Sequence, residues 1–141
     1  MAKILAICVS EKRNEPKRLQ NEASFIPGGI EGDSHYGLSE REVSLLRRED
    51  IEDAEQKAGF SFQPGSLAEN LIVEGLPSEM PSGALLQIGK DVILQVVGKG
   101  KKPGEPHSYD YKGWCLLPLC GYFLKVLSGG TAFLGDEVIF R

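Results

Sequence analysis

Short apolar runs alternate with glycine- and proline-bearing polar stretches along this chain, a rhythm that predicts many strands joined by turns. Lys3 to Val9 reads as a first strand and Val43 to Leu46 as another. Leu85 to Ile88 and Val92 to Val97 read as paired strands around the turn Gly89-Lys90-Asp91. In the second of these, Val92, Leu94 and Val96 alternate with Ile93, Gln95 and Val97. Apolar residues on both faces predict a strand inside a sheet. Pro64-Gly65 marks a turn, and Leu67 to Val73 after it predicts a strand or an irregular extended segment. Glu137 to Phe140 predicts the last strand. Phe25 to Gly37 and Gly98 to Gly113 are polar and glycine-bearing, and both predict long loops.

One helix stands out, Arg48 to Ala58. Ile51, Ala54 and Ala58 share a face at spacings of three and four. Glu49, Asp50, Glu52 and Asp53 crowd its first turns, where the helix dipole favours acids. Lys57 lies near its end, and Gly59 suits a left-handed cap. Leu119 to Leu127 predicts a second, short helix ended by Ser128-Gly129-Gly130. The run from Ile88-Gly89 to Leu94 echoes the run from Leu134-Gly135 to Phe140, one turn device used twice. The expected class is mainly β with a few helices, in a closed or nearly closed β-barrel. The expected organisation is a single domain over residues 1–141.

Composition narrows the partners. A net charge of −4 over 141 residues argues against a nucleic-acid backbone, which needs clustered cations. No apolar run reaches the roughly 20 residues that span a bilayer, so no membrane role is expected. The apolar start, Met1 to Val9, lacks a small-residue cleavage site and reads as a strand rather than a signal peptide. Three cysteines suit a reducing compartment better than a disulfide framework, so a cytoplasmic location is expected.

Several residues can carry chemistry. Glu31-Gly32-Asp33-Ser34-His35-Tyr36-Gly37 is the densest polar cluster, and its glycines let backbone approach a ligand. The same spacing also fits a tight turn in which Asp33 and Ser34 satisfy local amides. Arg41, entering the strand that holds Ser44, offers a planar fork to an anion, or a salt bridge to Glu40, Glu42 or Glu69. Cys115 and Cys120 flank Leu116-Leu117-Pro118-Leu119 and are read either as nucleophilic thiols or as small buried apolar groups. A nucleophilic role needs a nearby cation, which Lys99, Lys101, Lys102 or His107 supplies from the preceding loop. His35 and His107 complete a four-ligand set only on paper, so no metal site is assigned. Cys8, in an apolar strand, reads as buried.

Taken in order, these motifs resemble the MOSC family, the C-terminal domain of molybdenum cofactor sulfurases and of small stand-alone bacterial proteins. The matching residues are Gly29 to Gly37, Arg41-Glu42-Val43-Ser44-Leu45-Leu46, Pro64 to Leu71 with Glu69-Asn70, Leu86-Gln87-Ile88-Gly89, Gly121 to Leu127 with Gly129-Gly130, and Leu134 to Val138. The resemblance implies a β-rich barrel with a role in molybdenum cofactor or sulfur transfer. It implies molybdopterin as cofactor, held by Gly32, Asp33, His35, Arg41, Ser44, Glu69, Asn70, Lys101 and His107. It implies a persulfide carried on Cys115, with Cys120 next. The implied partners are a cysteine desulfurase or the proteins that make and use the cofactor, and a family-level association with pyridoxal phosphate comes with them. A non-catalytic module for molybdopterin or another anion is the alternative, and a molybdenum-dependent reductase of N-hydroxylated compounds is third. Many relatives carry a cysteine just after a Gly-Lys pair. Here Gly98-Lys99 is followed by Gly100-Lys101-Lys102-Pro103, with no cysteine.

Overall fold

The computed structural model describes residues 2–12, 16–34, 36–37, 41–100 and 111–141. The expectations for His35, Lys101, Lys102 and His107 lie outside the described residues.

The chain runs β1 (Ala2–Val9), β2 (Arg18–Gln20), β3 (Glu22–Ile26), β4 (Gly29–Ile30), β5 (Val43–Arg47), α1 (Arg48–Ala58), β6 (Leu71–Glu74) and β7 (Leu85–Ile88). It continues through β8 (Val92–Lys99), α2 (Leu117–Cys120), β9 (Tyr122–Ser128), β10 (Gly130–Phe133) and β11 (Glu137–Phe140). One sheet runs β11-β7-β8-β9-β5-β6-β1-β2, and β11 also pairs with β1. That last pairing closes a seven-strand barrel and leaves β2 as an appended edge. A smaller sheet, β10-β3-β4, packs beside it. Closure removes the exposed edges that an open sheet would present.

Two apolar cores follow from the strand alternation. Ile4, Ile7, Val43, Leu45, Leu86, Leu94, Tyr122 and Leu124 fill the barrel. Outside it, Ala6, Cys8, Leu46 and Ile72 pack under Ile51 and Ala54 of α1, together with Phe62, Leu67 and Leu116. β5 and β6 are parallel, so α1 serves as their crossover and covers the outer core. The helix has the bounds read from the sequence. Gly59 caps it at φ 80°, and its amide donates to Glu55 O. Arg48 ties it internally to Glu52 and Glu55.

The structure corrects four expectations. Leu119 to Leu127 is not a helix: only Leu117–Cys120 makes one helical turn, and Tyr122–Ser128 is a strand. β9 pairs with β5 on one side and β8 on the other; Tyr122, Leu124 and Val126 are buried on one face, and Phe123 is buried on the other, where Leu127 is exposed. Phe25 to Gly37 is not all loop, because Phe25 and Ile26 belong to β3, and Gly29 and Ile30 form β4. The strand after Pro64-Gly65 starts at Leu71, since 64–67 is a turn. Gly98 and Lys99 still belong to β8, whose Val92, Leu94 and Val96 face the core between β7 and β9. At the far side of that stretch, Tyr111 and Trp114 form a two-residue hairpin, with Tyr111 N donating to Trp114 O at 2.7 Å.

Candidate functional site

β1 ends where β5 and β6 begin, and the polar residues singled out in the sequence meet there. Asn70, just before β6, clamps three segments. Its Nδ2 donates to Cys8 O at 2.9 Å, and its Oδ1 accepts from Ser44 N at 3.0 Å and Ser44 Oγ at 3.2 Å. An amide side chain offers donor and acceptor together, which suits it to strands that present both. Ser44 and Asn70 are thus joined directly, and both are buried.

Asp33 does more than close its own turn. Its Oδ1 accepts from Ser10 N at 3.1 Å and from Lys17 Nζ at 2.8 Å. Lys17 Nζ also reaches Ser10 Oγ at 3.2 Å. The Lys17 and Asp33 side chains are 1% and 0% exposed. A buried ion pair of this kind stands only with close contact and further hydrogen bonds, and both are present. Lys17 was not among the residues singled out. It sits in a polar segment with no motif, and its partner lies 16 residues away, so nothing local flags it.

Glu69 lies behind this pair. Its carboxylate accepts from Gly65 N and Leu67 N, both at 3.2 Å. Burial pushes its carboxyl up to about 7, while the two amides, its own backbone and Lys17 hold it down. Gly65 O in turn accepts from Lys17 N at 2.9 Å. Gly65 is left-handed at φ 84°, and a Cβ there would run into the Lys17 carbonyl oxygen, so only glycine fits. Ser66 Oγ, on the same turn, is the one buried side-chain polar atom without a partner among the described residues.

A groove of about 380 Å³ opens at this end, lined by Ser10, Glu11, Pro16, Arg18, Gln20 and Gly32. A second hollow of about 340 Å³ shares Val9 and Gln20 with it and extends to Glu22, Ser24 and Glu31.

Of the remaining predicted residues, Arg41 stands at the same end of β5 as Ser44, and Cys120 lies toward its other end. The Arg41 guanidinium lies over the Phe123 ring at 5.2 Å. Phe123 is the register partner of Ser44, which places Arg41 at the starting end of β5. Cys120 precedes β9 and lies toward the other end of that antiparallel pair. Its Sγ donates to Leu116 O at 3.5 Å, and burial, then Asp50, push the thiol up to about 11. Lys99 and Arg47 pull it down by less. Cys8 is fully buried, and its thiol is pushed up to about 12 by burial and by Glu69. Cys115 is half-buried between Trp114 and Leu116, both of which pack into the outer core. Lys99 pairs with Glu79 at 2.9 Å, which raises its affinity for its proton. Among the described residues no group of three or more His, Cys, Asp or Glu side chains is placed to hold a metal ion. No helix among them is long and apolar enough to cross a membrane.

A closed seven-strand barrel with a crossover helix and a glycine-flanked acidic turn at one mouth defines the architecture. The MOSC domain model matches residues 31–102, half of the chain, and the protein belongs to the MOSC domain family. The YuaD protein of Bacillus subtilis superposes with a TM-score of 0.77 at 18% identity, over 98% of this chain and 94% of that one. YiiM of Geobacillus stearothermophilus gives 0.70 at 17% identity, over 100% of this chain and 75% of that one. YiiM of Escherichia coli gives 0.61 at 18% identity, over 99% and 70%. No curated protein matches the sequence. The family is associated with the molybdenum cofactor in general.

Proposed function

We propose that this MOSC domain is a binding module that holds the phosphorylated pterin of the molybdenum cofactor in the groove beside the Gly32-Asp33 turn. The observation that carries this reading is the groove itself: about 380 Å³, lined by Arg18, Ser10 and Gly32, backed by a buried Lys17–Asp33–Ser10 cluster. That volume lies in the usual range for small-molecule sites. Arg18 supplies a planar fork for phosphate oxygens. The N–H edge of a pterin suits the carboxylates of Glu22 and Glu31 in the adjoining hollow.

The donor set fits the organic part of the cofactor and not its metal. Molybdenum takes soft thiolate ligands, and no cysteine lines the groove. This chain's residues would hold and shield the cofactor's organic part, with Lys17 and Asp33 fixing the wall and Arg18, which lines the groove together with Glu11, meeting the phosphate. With no cysteine after Gly98-Lys99, a reductase role has no thiolate at the position that relatives use.

Titration of the protein with a phosphorylated pterin tests this. Arg18→Ala weakens binding at least about tenfold, which is 1.4 kcal/mol. Cys115→Ser leaves it unchanged. Equal affinity in Arg18→Ala and wild type refutes the assignment.

A second reading, sulfur carriage on Cys115, has one observation in its favour. Cys8 is sealed in the core and the Cys120 thiol is held well above its ordinary value, whereas Cys115 is half-exposed at the foot of the Tyr111–Trp114 hairpin. In that reading the Cys115 thiolate attacks the outer sulfur of a cysteine desulfurase persulfide, and the desulfurase thiolate leaves. Incubation with desulfurase and cysteine then adds one sulfur atom to the mass, and Cys115→Ser abolishes the gain.

A further inference from the structure

The outer face of the barrel over β8, β7 and β11 has no cover among the described residues, since the outer core under α1 draws on none of these strands. Strand register sets its outward side chains in rows across the sheet. The middle row is Ile139 of β11, Gln87 of β7 and Ile93 of β8, with Leu127 beside it at the β8–β9 bulge. Ile139 is 38% exposed and Leu127 51%. On one side of this row, toward the Gly89 turn, stand the acids Glu137 and Asp91. On the other side stand Arg141, Leu85, Gln95 and Lys125. Two described bases stand at the acidic side: Lys3, which is drawn to Glu74 at 3.4 Å, and Lys90 at the tip of the turn. Glu137, Asp91, Arg141 and Lys125 make no ion pair with another described residue. The side-chain amides of Gln87 and Gln95 donate to Lys90 O at 3.2 Å and Gly83 O at 3.4 Å, so both have a partner before the face is covered. An uncovered apolar row with a charged rim marks an interaction surface.

We propose that this face is the self-complementary interface of a homodimer, in which two copies meet across a two-fold axis running along the Ile139–Ile93 row. Rotation about that axis lays one face on the other and reverses the strand direction. Each residue of the middle row then meets its own copy, as an isologous contact requires. Glu137 and Arg141 stand two residues to either side of Ile139, so each Glu137 meets Arg141 of the second copy, twice in the dimer. Asp91 turns likewise toward the Gln95–Lys125 side of the second copy. An axis along the strands would set acid on acid, so charge selects the first arrangement. The occupant is a second copy because the order acid, apolar, base along β11 is its own complement. Strands about 4.8 Å apart and outward residues about 6.8 Å apart give the patch an extent of about 15 Å each way, at the small end for a protein interface. A weak dimer, with a Kd of about 10–100 μM, follows. No residue lining the groove at Arg18 and Gly32 belongs to this face, so the dimer stands independently of the binding reading.

Sedimentation velocity of the protein from about 5 to about 500 μM tests this, and the sedimenting mass rises from monomer to dimer across that range. Glu137→Arg and Arg141→Glu each set like charges face to face and weaken association at least about tenfold. The double variant Glu137→Arg/Arg141→Glu exchanges the two signs and restores association to within about threefold of wild type. Ile139→Asp abolishes the dimer. These three side chains are exposed in the single chain, so the variants keep the fold. A chain that stays monomeric at the highest concentration overturns the proposal, since the face then serves some other occupant. A dimer that the single reversals leave unchanged uses a different surface and overturns it as well. Failure of the double variant to recover does the same, because the axis then lies elsewhere.

Discussion

Removing the ammonium of Lys17 is the sharpest test of the buried polar cluster. Lys17→Met keeps most of the side chain's apolar volume and deletes its charge. Asp33 then loses its 2.8 Å partner while remaining 0% exposed, and Glu69 loses the cation that holds its carboxyl down. Breaking one side of a buried pair costs about 3–5 kcal/mol. Domains of this kind carry only about 5–15 kcal/mol in total. The expected fall in Tm is about 10–20 °C, taking about 3–4 °C per kcal/mol at this chain length. Urea unfolding of wild type, Lys17→Met, Asp33→Asn and the double variant gives the cycle. The double variant costs less than the two singles together, with a coupling of at least about 1.5 kcal/mol. A Lys17→Met cost below about 1 kcal/mol, or strictly additive singles, refutes the claim that this pair organises the mouth of the barrel.

Asn70→Ala strips partners from Ser44 N and Cys8 O, and the expected loss is about 2–4 kcal/mol by urea unfolding, with the barrel retained. The Glu69 carboxyl lies at about 7 in the fold against 4.5 in the ordinary state, so its stabilising contribution is full below pH 4.5 and is lost as the pH rises through 7. The loss reaches about 3 kcal/mol, and Glu69→Gln removes that slope from a plot of stability against pH. With their thiols pushed up to about 12 and about 11, Cys8 and Cys120 resist alkylation in the native protein at pH 7. Peptide mapping after brief iodoacetamide treatment shows label on them only once urea is added.

Particular residues show where the sequence speaks and where it does not. The helix Arg48–Ala58 is readable because its apolar spacing, its acidic first turns and the Gly59 cap all agree. The segment Tyr122-Phe-Leu-Lys-Val-Leu misleads because apolar Phe123 and Leu127 stand on the face opposite Tyr122, Leu124 and Val126 and blur the alternation, and a short apolar run with Leu and Lys fits a helix equally well. Its strand state is set by β5 and β8, which lie far away in sequence. Strand pairs at β3–β4 and β3–β10 stay hidden because two- to five-residue strands among glycines carry too few positions to show a period.

The same divide runs through the site. Gly32, Asp33, Ser44, Glu69 and Asn70 stand in recognisable motifs, and the structure gathers them at one end of the barrel. Lys17 and Arg18 belong to no motif, yet one anchors the cluster and the other lines the groove. A lone lysine before a three-residue edge strand leaves no local trace, because what buries it is the turn at Gly65 and the carboxylate of Asp33. The spacing of Cys115 and Cys120 likewise says nothing of burial. That is set by the one-turn helix Leu117–Cys120, which follows the Tyr111–Trp114 hairpin.

The central claim, that the groove between Ser10, Arg18 and Gly32 receives the anionic end of a phosphorylated pterin, is met most directly by a crystal structure of the protein with that compound. The account predicts its phosphate against the Arg18 guanidinium and the Gly32 backbone, with the Lys17–Asp33 pair intact behind it. A pterin seated at Cys115, or over Arg41 and Phe123, contradicts it.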